Sequence, residues 1–563
     1  MKFKILALLL IALIYSGCKK DYLTRMPLDA MTDYDYWTTE GNVRTFAWGF
    51  YPAYFVGYGS GYTWGSYFSG ETLNDDFAPS GPNQFTKLVP ATGGGWSFTY
   101  VRKANLFLDR VSKSPLSTEA KNHWMGIARF FRAMEYSDLV RSFGDMPWYG
   151  HVLDVSETVE LFKPRAPRTE VMDSVLADFQ YAATNVRASD GTKGLTINKY
   201  VVLSFMSRRL LFEGTWQKYQ NNNQIKATEY LTAAKWAANE VMTKGGYALG
   251  SSYRGVFSSL DLAGNPETIL YRSYVTALLT HCLNSYVNKE PQTGASKDAI
   301  DSYLASDGLP ISISPLYKGD KTIQNVMTNR DPRLLESFVP TQLRLNGVSL
   351  SYSTSGYACQ KFLNESIKDL INGSGSLNDT DAPVIRYGEV LINYAEACAE
   401  LGTMTQTDLD ASINKLRKRA GINMPNLQVV GGLPAINGVT YNDPKRDLIV
   451  PSLIWEIRRE RRVELMMEGF RYNDLRRWKK LEYTNTTNSD INRGAWIVRA
   501  DWPTLTSAVT IENNAAAGYI VPAWKPETQR TFTDPRVYLS PLPLDQIQLY
   551  KDNGITLTQN PGW

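Results

Sequence analysis

The stretch from residue 118 to residue 143 constrains this chain more than any other. Trp124, Ile127, Ala128, Phe131 and Met134 share one face of a helix, while Phe130, Ala133, Tyr136 and Val140 share a second. A helix that is apolar on two sides has to pack between other helices. Gly144 fits the residue just past its end, with Pro147 beyond. A helix is also predicted over 99–112. Three more follow near 168–186, 196–218 and 226–243, the last with Leu231, Ala234 and Ala238 at helical spacing. Successive amphipathic helices with short connections predict a mainly α array of helical hairpins. No clean period near 34 residues recurs, so a tetratricopeptide-like reading rests on helix spacing alone.

Helical spacing is also present over 43–56, 384–401, 406–420 and 451–470. Residues 57–98 are different. They are rich in Gly, Ser, Asn and Pro, with Trp64, Tyr67, Phe68, Phe77, Phe85 and Trp96 interleaved, and read as a long loop region. The region 245–380 mixes strand-like pieces, Thr268 to Tyr274 and Arg333 to Val339, with turn formers. The tail from 494 to 563 is irregular and Pro-rich.

The first residues read Met-Lys-Phe-Lys, then an apolar run from Ile5 to Ile14, then Tyr15-Ser16-Gly17-Cys18. The run is too short to span a bilayer and has the dimensions of a signal-peptide core. Small residues before a cysteine make it a bacterial lipoprotein signal, although Tyr15 stands where leucine is usual. Cleavage over 1–17 leaves Cys18 as the lipid anchor, with the rest of the chain outside the cytoplasm. No second long apolar run occurs. The expected division is the signal over 1–17, an N-terminal helical part with its aromatic loops over 18–245, and a C-terminal part over 246–563 packed with it as one unit.

The net charge of +4 falls further when Lys2 and Lys4 leave with the signal, too balanced for a nucleic-acid binder. Besides Cys18 there are three cysteines: Cys282, Cys359 and Cys398. None forms a CxxC pair; Cys282 and Cys359 could pair in an oxidising compartment, and Cys398 lies in an Ala-rich helical stretch. HExxH, GxSxG, GxxxxGK[ST] and GxGxxG signatures are absent. The three histidines, His123, His151 and His281, have no spaced partners, and no motif supports a metal or cofactor. Calcium held by carboxylates remains open. The segment from Trp455 to Trp478 is dense in Arg and Glu. Glu456 and Arg459, Arg461 and Glu464, and Glu468 and Arg471 are three apart, which predicts ion pairs along a helix that locks into the core. The same reading applies to Arg129, Arg132 and Glu135.

Those segments also carry a family pattern. Asp21-Tyr-Leu, Pro27 and Tyr36-Trp37 resemble the opening of the SusD/RagB family of outer-membrane nutrient-binding lipoproteins of Bacteroidetes. Ala128-Arg-Phe-Phe-Arg-Ala-Met-Glu-Tyr and Phe143-Gly-Asp-Met-Pro147 resemble its helix and exit turn. Arg330-Asp-Pro-Arg333, Arg386 to Ala397, Ile413 to Gly421 and Glu460 to Trp478 are similar to its C-terminal half, and Leu542-Pro-Leu and Gln559 to Trp563 to its close. The resemblance implies a tetratricopeptide-like scaffold of four helix pairs carrying a loop-rich ligand region. It further implies a cell-surface protein of the outer membrane that works with a SusC-like TonB-dependent transporter, binds oligosaccharides or, less often, peptides or other nutrients, and is not an enzyme.

Sugar rings present apolar faces to Trp and Tyr while their hydroxyls need polar groups at the edge. On that ground the candidate ligand residues are Trp64, Tyr67 and Trp96 with Asn74, Asp75 and Asp76, and a second set of Tyr274, Asn284 and Tyr286. Three rivals stand beside glycan capture. One is a peptide binder of the same type. Another is a lipid-anchored glycosidase drawing its two carboxylates from Glu71, Asp75 and Asp76. The third is an adaptor whose helix pairs bind only protein.

Overall fold

The computed structural model describes residues 33–85 and 87–563; the signal segment, Cys18 and the opening Asp21-Tyr-Leu motif lie outside them. Helix α1 (Glu40–Trp48) is capped by Thr39, whose hydroxyl accepts from Asn42 N at 3.3 Å. Helices α2 (Thr99–Lys113), α3 (Thr118–Phe143), α4 (Arg168–Asn185), α5 (Lys199–Tyr219) and α6 (Gln224–Lys244) follow, each packed on the one before. Their starts are written in polar side chains: Ser117 caps α3, Asn198 caps α5 and Asn223 caps α6. α3 ends where expected, at Gly144 with φ of 78°. Trp124, Ile127, Phe130 and Phe131 are buried on its two faces, each worth about 1.5–3 kcal/mol of transfer free energy. α5 and α6 approach so closely that a Cβ on Gly214 would stand 2.6 Å from Leu231 Cγ.

The array continues after a long excursion. Strand β1 (Thr268–Arg272) pairs antiparallel with β2 (Ala382–Arg386), with Thr268 opposite Arg386 and Arg272 opposite Ala382. Helix α7 (Tyr387–Glu400) leaves β2 directly, is buried along its whole length, and lies against α5, α6 and α8 (Ser452–Glu464). These consecutive antiparallel pairs make the tetratricopeptide-like scaffold. Two small sheets, one of Gln428–Val430, Leu433–Ile436 and Val439–Thr440, the other of Trp496–Val498 with Ala517–Tyr519, decorate the C-terminal half. A second core, from Tyr58 to Ile520, fills the space beneath the loop-rich region.

Several boundaries differ from expectation. Arg333 to Val339 is not a strand: Pro332–Ser337 is a helix, because Asp331 accepts from Arg333 N at 3.0 Å and Pro332 pre-sets the first turn. The 406–420 stretch divides at Ser412 into Gln406–Ala411 and Ile413–Arg417. The 451–470 stretch stops at Glu464, and α9 (Arg471–Arg477) starts afresh. Between them Gly469 has φ of 79°, and a Cβ there would meet Ser66 O at 2.1 Å. Residues 43–56 likewise split into α1 and Tyr51–Tyr54. The irregular tail holds one regular helix, Leu544–Asp552. Cys282, Cys359 and Cys398 are buried free thiols.

The charged segment does lock into the core, but through long-range partners. Of the three expected pairs only Glu456–Arg459 forms, at 3.0 Å. Glu464 instead meets Arg333, Arg386 and Arg419. Arg461 turns to Asp474, Glu468 to Arg386 and Lys361, and Arg471 to Asp75. Side chains on the buried faces of α8 reach neighbouring elements rather than their own helix, and the break after Glu464 takes Glu468 and Arg471 out of helical register. Arg132 likewise crosses to Asp178 on α4 at 2.7 Å, leaving Glu135 to accept from the Tyr54 hydroxyl.

Candidate functional site

Residues 57–66 form a glycine-dependent knot on the surface. Ser66 N donates to Gly57 O at 3.0 Å, and Ser60 N to the Thr63 hydroxyl at 2.9 Å. Gly65 has φ of 58°, and a Cβ there would stand 2.1 Å from Gly57 O, so no other residue fits. The knot points Tyr58 inward, where it is fully buried, and throws Tyr62 outward, 78 % exposed. Trp64 lies at the boundary, half-buried, its ring 4.6 Å from that of Tyr286 and tilted by 42°.

Two more loops meet it. Gly61 N donates to Thr280 O at 3.0 Å. Val275 and Leu279 exchange backbone hydrogen bonds, both 3.0 Å, closing a tight turn that leaves Leu278 84 % exposed. Residues 370–379 are tied down from below. His281 and Asn378 exchange backbone bonds at 2.9 Å, Asn284 Nδ2 donates to Gly373 O at 3.3 Å, and Gly375 N donates to Ser285 Oγ at 3.0 Å. This loop exposes Leu370, Ile371 and Leu377, and a Cβ on Gly375 would lie 3.5 Å from the Tyr62 hydroxyl. Polar groups surround these apolar tips: Asn372 donates to Asp379 at 3.0 Å, Thr276 donates to Asp379 at 2.7 Å, and Lys289 donates to Ser374 at 2.8 Å. Apolar and aromatic faces with amide, hydroxyl and charged edges match what a saccharide offers.

Beneath the loops sits His281, fully buried. Its Nδ1 accepts from Leu283 N at 3.1 Å, which leaves Nε2 to donate to Thr380 O at 3.0 Å. Burial pushes its pKa down to about 4, so the ring is a neutral strut at neutral pH.

The residues singled out from sequence occupy three settings. Trp64 and Tyr286 meet in a tilted ring contact at the edge of the loop face, Trp64 partly open and Tyr286 buried with its hydroxyl accepting from Thr293 N at 3.3 Å. Tyr67, Tyr274 and Asn284 form the layer below. Tyr67 donates to Pro383 O at 2.5 Å, Tyr274 to Gly59 O at 2.8 Å, and Asn284 Oδ1 accepts from Asn364 N at 2.7 Å. Trp96 lies elsewhere, in the helical core, edge-on to Phe98 and Phe143. Asn74, Asp75 and Asp76 are buried and structural. Asn74 accepts from Asp76 N at 3.0 Å, Asp75 takes a bidentate pair from Arg471 at 2.7 and 2.6 Å, and Asp76 accepts from Arg462 at 2.7 Å. Burial raises the cost of charge on Asp75, but Arg462 and Arg471 outweigh it and hold the carboxyl below its ordinary range. Burial pushes Glu71 up to about 7, with the Thr293 hydroxyl 3.4 Å away. The loop tips Tyr62, Leu278 and Ile371 were not singled out. Tyr62 had a legible signal, since it is flanked by Gly59, Gly61 and Gly65 in a loop too tight to bury it; Leu278 and Ile371 had none.

Among the described residues no group of three or more His, Cys, Asp or Glu is placed to hold a metal ion, and no helix is long and apolar enough to cross a membrane. Apart from the loop face, a cavity of about 280 Å³ is lined by Trp455, Arg458, Arg459, Asp443 and Asp447, with both signs of charge interleaved.

The family model for the SusD family matches residues 284–563. A SusD-like protein of Formosa agariphila is 22% identical over 427 residues, covering 73% of this chain and 75% of the relative. A SusD-like protein of Bacteroides ovatus is 21% identical over 518 residues, covering 86% and 85%. Among solved structures, a SusD-like carbohydrate-binding protein from Bacteroides fragilis superposes with a TM-score of 0.66 at 22% identity, over 92% of this chain and 99% of that one. A laminarin-binding SusD-like protein superposes with a TM-score of 0.56 at 17% identity, over 93% and 100%. The order of helix pairs, the buried arginine–carboxylate segment and these matches agree, and the chain belongs to the SusD/RagB family.

Proposed function

We propose that this protein is a non-catalytic glycan-binding lipoprotein of the outer-membrane surface, anchored through Cys18, which captures oligosaccharides on the Tyr62–Trp64–Leu278–Ile371 loop face and delivers them to a SusC-like TonB-dependent transporter. The observation that carries the reading is the outward aromatic Tyr62 beside half-open Trp64, held by a knot that only glycine can make and rimmed by Asn372, Asp379 and Lys289. Carbohydrate binding is also named for the Bacteroides fragilis neighbour and laminarin binding for another. A non-catalytic role is supported by the state of the carboxylates. Asp75 and Asp76 are buried in arginine pairs, so neither is free to activate water or attack a sugar.

Calorimetric titration of the protein with plant, host and microbial polysaccharides and a peptide digest tests the reading. Binding to one glycan class, weakened at least tenfold by Tyr62→Ala or Trp64→Ala and without product release, is the expected result. A response to peptides alone refutes glycan capture. Cys18→Ala tests the anchor: it releases the protein from the membrane fraction, and retention there overturns that part of the reading.

A further inference from the structure

Behind the knot lies a cavity of about 360 Å³, walled by α3, α5, β2 and the turn into α9. Its rim includes Gly65, Ser66 and Ser69, from the same loop that carries Tyr62 and Trp64, and its volume lies in the range of small-molecule sites. Phe205, Phe212 and Phe470 supply apolar walls. Arg141, Arg208 and Arg209 project into it.

These guanidiniums are not equally served. Arg208 forms a complete fork with Glu389, two bonds of 2.6 Å. Arg209 and Arg141 share one carboxylate, Asp138. Arg209 takes both of its oxygens, one at 3.0 Å, and Arg141 is left with a charge contact of 2.7 Å that has no hydrogen-bond geometry. Arg141 therefore donates no hydrogen bond to the protein through its guanidinium. Arg209 is only 11 % exposed, and its Nε is buried without a partner. The other acids that line the cavity are each held by a different arginine: Glu389 by Arg208, Glu213 by Arg168, Glu468 by Arg386, and Asp474 by Arg461 and Arg477; Glu135, one turn from Asp138, is turned away to the Tyr54 hydroxyl. Burial pushes Arg141 down to about 10, with the positive charges of Arg209, Arg476 and Arg208 adding to the effect and Asp138 opposing it. It stays charged at neutral pH but sits in a field that an added anion would relieve. Unfilled guanidinium donors in a partly enclosed, aromatic-walled cavity are what a planar or tetrahedral oxyanion satisfies.

We infer that this cavity is a second ligand site, distinct from the exposed loop face, in which Arg141 and Arg209 bind an anionic group of the carboxylate or sulfate-ester class carried on a saccharide. The aromatic walls take the ring and the guanidiniums take the charge.

The test is calorimetry on full-length protein in detergent with three probes: a galacturonic acid tetrasaccharide, a neutral galactose tetrasaccharide and inorganic sulfate. The expected result is binding of the acidic tetrasaccharide that falls as salt is raised, competition by sulfate, and a loss of at least tenfold in Arg141→Gln. Arg141→Lys recovers part of the affinity. Because the Arg141 guanidinium donates no hydrogen bond and its contact with Asp138 is between two partly exposed groups, while the backbone carbonyl that accepts from Arg476 is kept in the variant, the circular dichroism spectrum and unfolding midpoint of Arg141→Gln stay close to wild type. Equal affinity of wild type and Arg141→Gln for the acidic probe, or no binding of that probe to either, overturns the inference. Sulfate binding without tetrasaccharide binding overturns the saccharide assignment. Tyr62→Ala separates the two sites: it leaves the acidic probe's Arg141-dependent binding intact, so failure at the loop face and failure at the cavity are read independently.

Discussion

Replacing Glu464 by glutamine removes one charge from a volume that water does not reach. Glu464 is fully buried and meets Arg333 at 3.1 Å, Arg386 at 2.7 Å and Arg419 at 2.9 Å. The surrounding network has Arg333, Arg386, Arg417, Arg419 and Lys361 facing Glu267, Asp331, Glu460, Glu464 and Glu468. Cations and carboxylates balance, and every one of these side chains is buried. Glutamine keeps the shape, leaves one positive charge uncompensated, and turns an amide toward guanidiniums that cannot accept from it. Breaking a buried pair in this way costs about 3–5 kcal/mol, roughly a hundredfold or more in the unfolding equilibrium. Glu119 also contacts an arginine, Arg187 at 2.6 Å, but is 66 % exposed, and its replacement by glutamine costs about 0.2–1 kcal/mol. Urea unfolding followed by tryptophan fluorescence and by circular dichroism measures both variants. If Glu464→Gln unfolds at the same urea concentration as Glu119→Gln, burial does not set the value of these pairs and the account of α8 is wrong.

Three further outcomes are expected. His281 titrates near 4 by NMR, below its unfolded value of about 6.5; stability is therefore complete above the unfolded pKa and falls as pH drops towards 4, by about 3 kcal/mol in all, and a ring that titrates near 6.5 refutes the neutral strut. Gly65→Ala forces a side chain against Gly57 O at positive φ, at about 1–3 kcal/mol; hydrogen exchange over 57–66 speeds up and glycan affinity falls with Tyr62 and Trp64 no longer fixed, whereas unchanged exchange contradicts the knot. Asp75→Asn lowers stability by about 3–5 kcal/mol by stripping Arg471 of its partner, and under the proposed non-catalytic role no sugar is released by either wild type or variant; release of sugar by wild type that disappears in the variant would restore the glycosidase reading.

Local and periodic features were legible from residues alone. The two-faced pattern of 118–143 placed α3 to the residue, Gly144 included, because helix periodicity and a left-handed end residue are local properties. The loop character of 57–98 followed equally from its glycines. The sequence also held the density of Arg and Glu in the Trp455–Trp478 segment, and with it the expectation that this segment locks into the core. Tertiary structure alone decided the partners. Glu464, Glu468 and Arg471 chose groups far along the chain, since a buried side chain is satisfied by whatever element faces it in space. The same holds for the candidate site. Composition marks the loop as aromatic, but only the fold of the knot turns Tyr58 and Tyr67 inward and Tyr62 outward, and brings Leu278 and Ile371 to its side. Exposure depends on which chain segment lies on top, and no spacing within a loop encodes that.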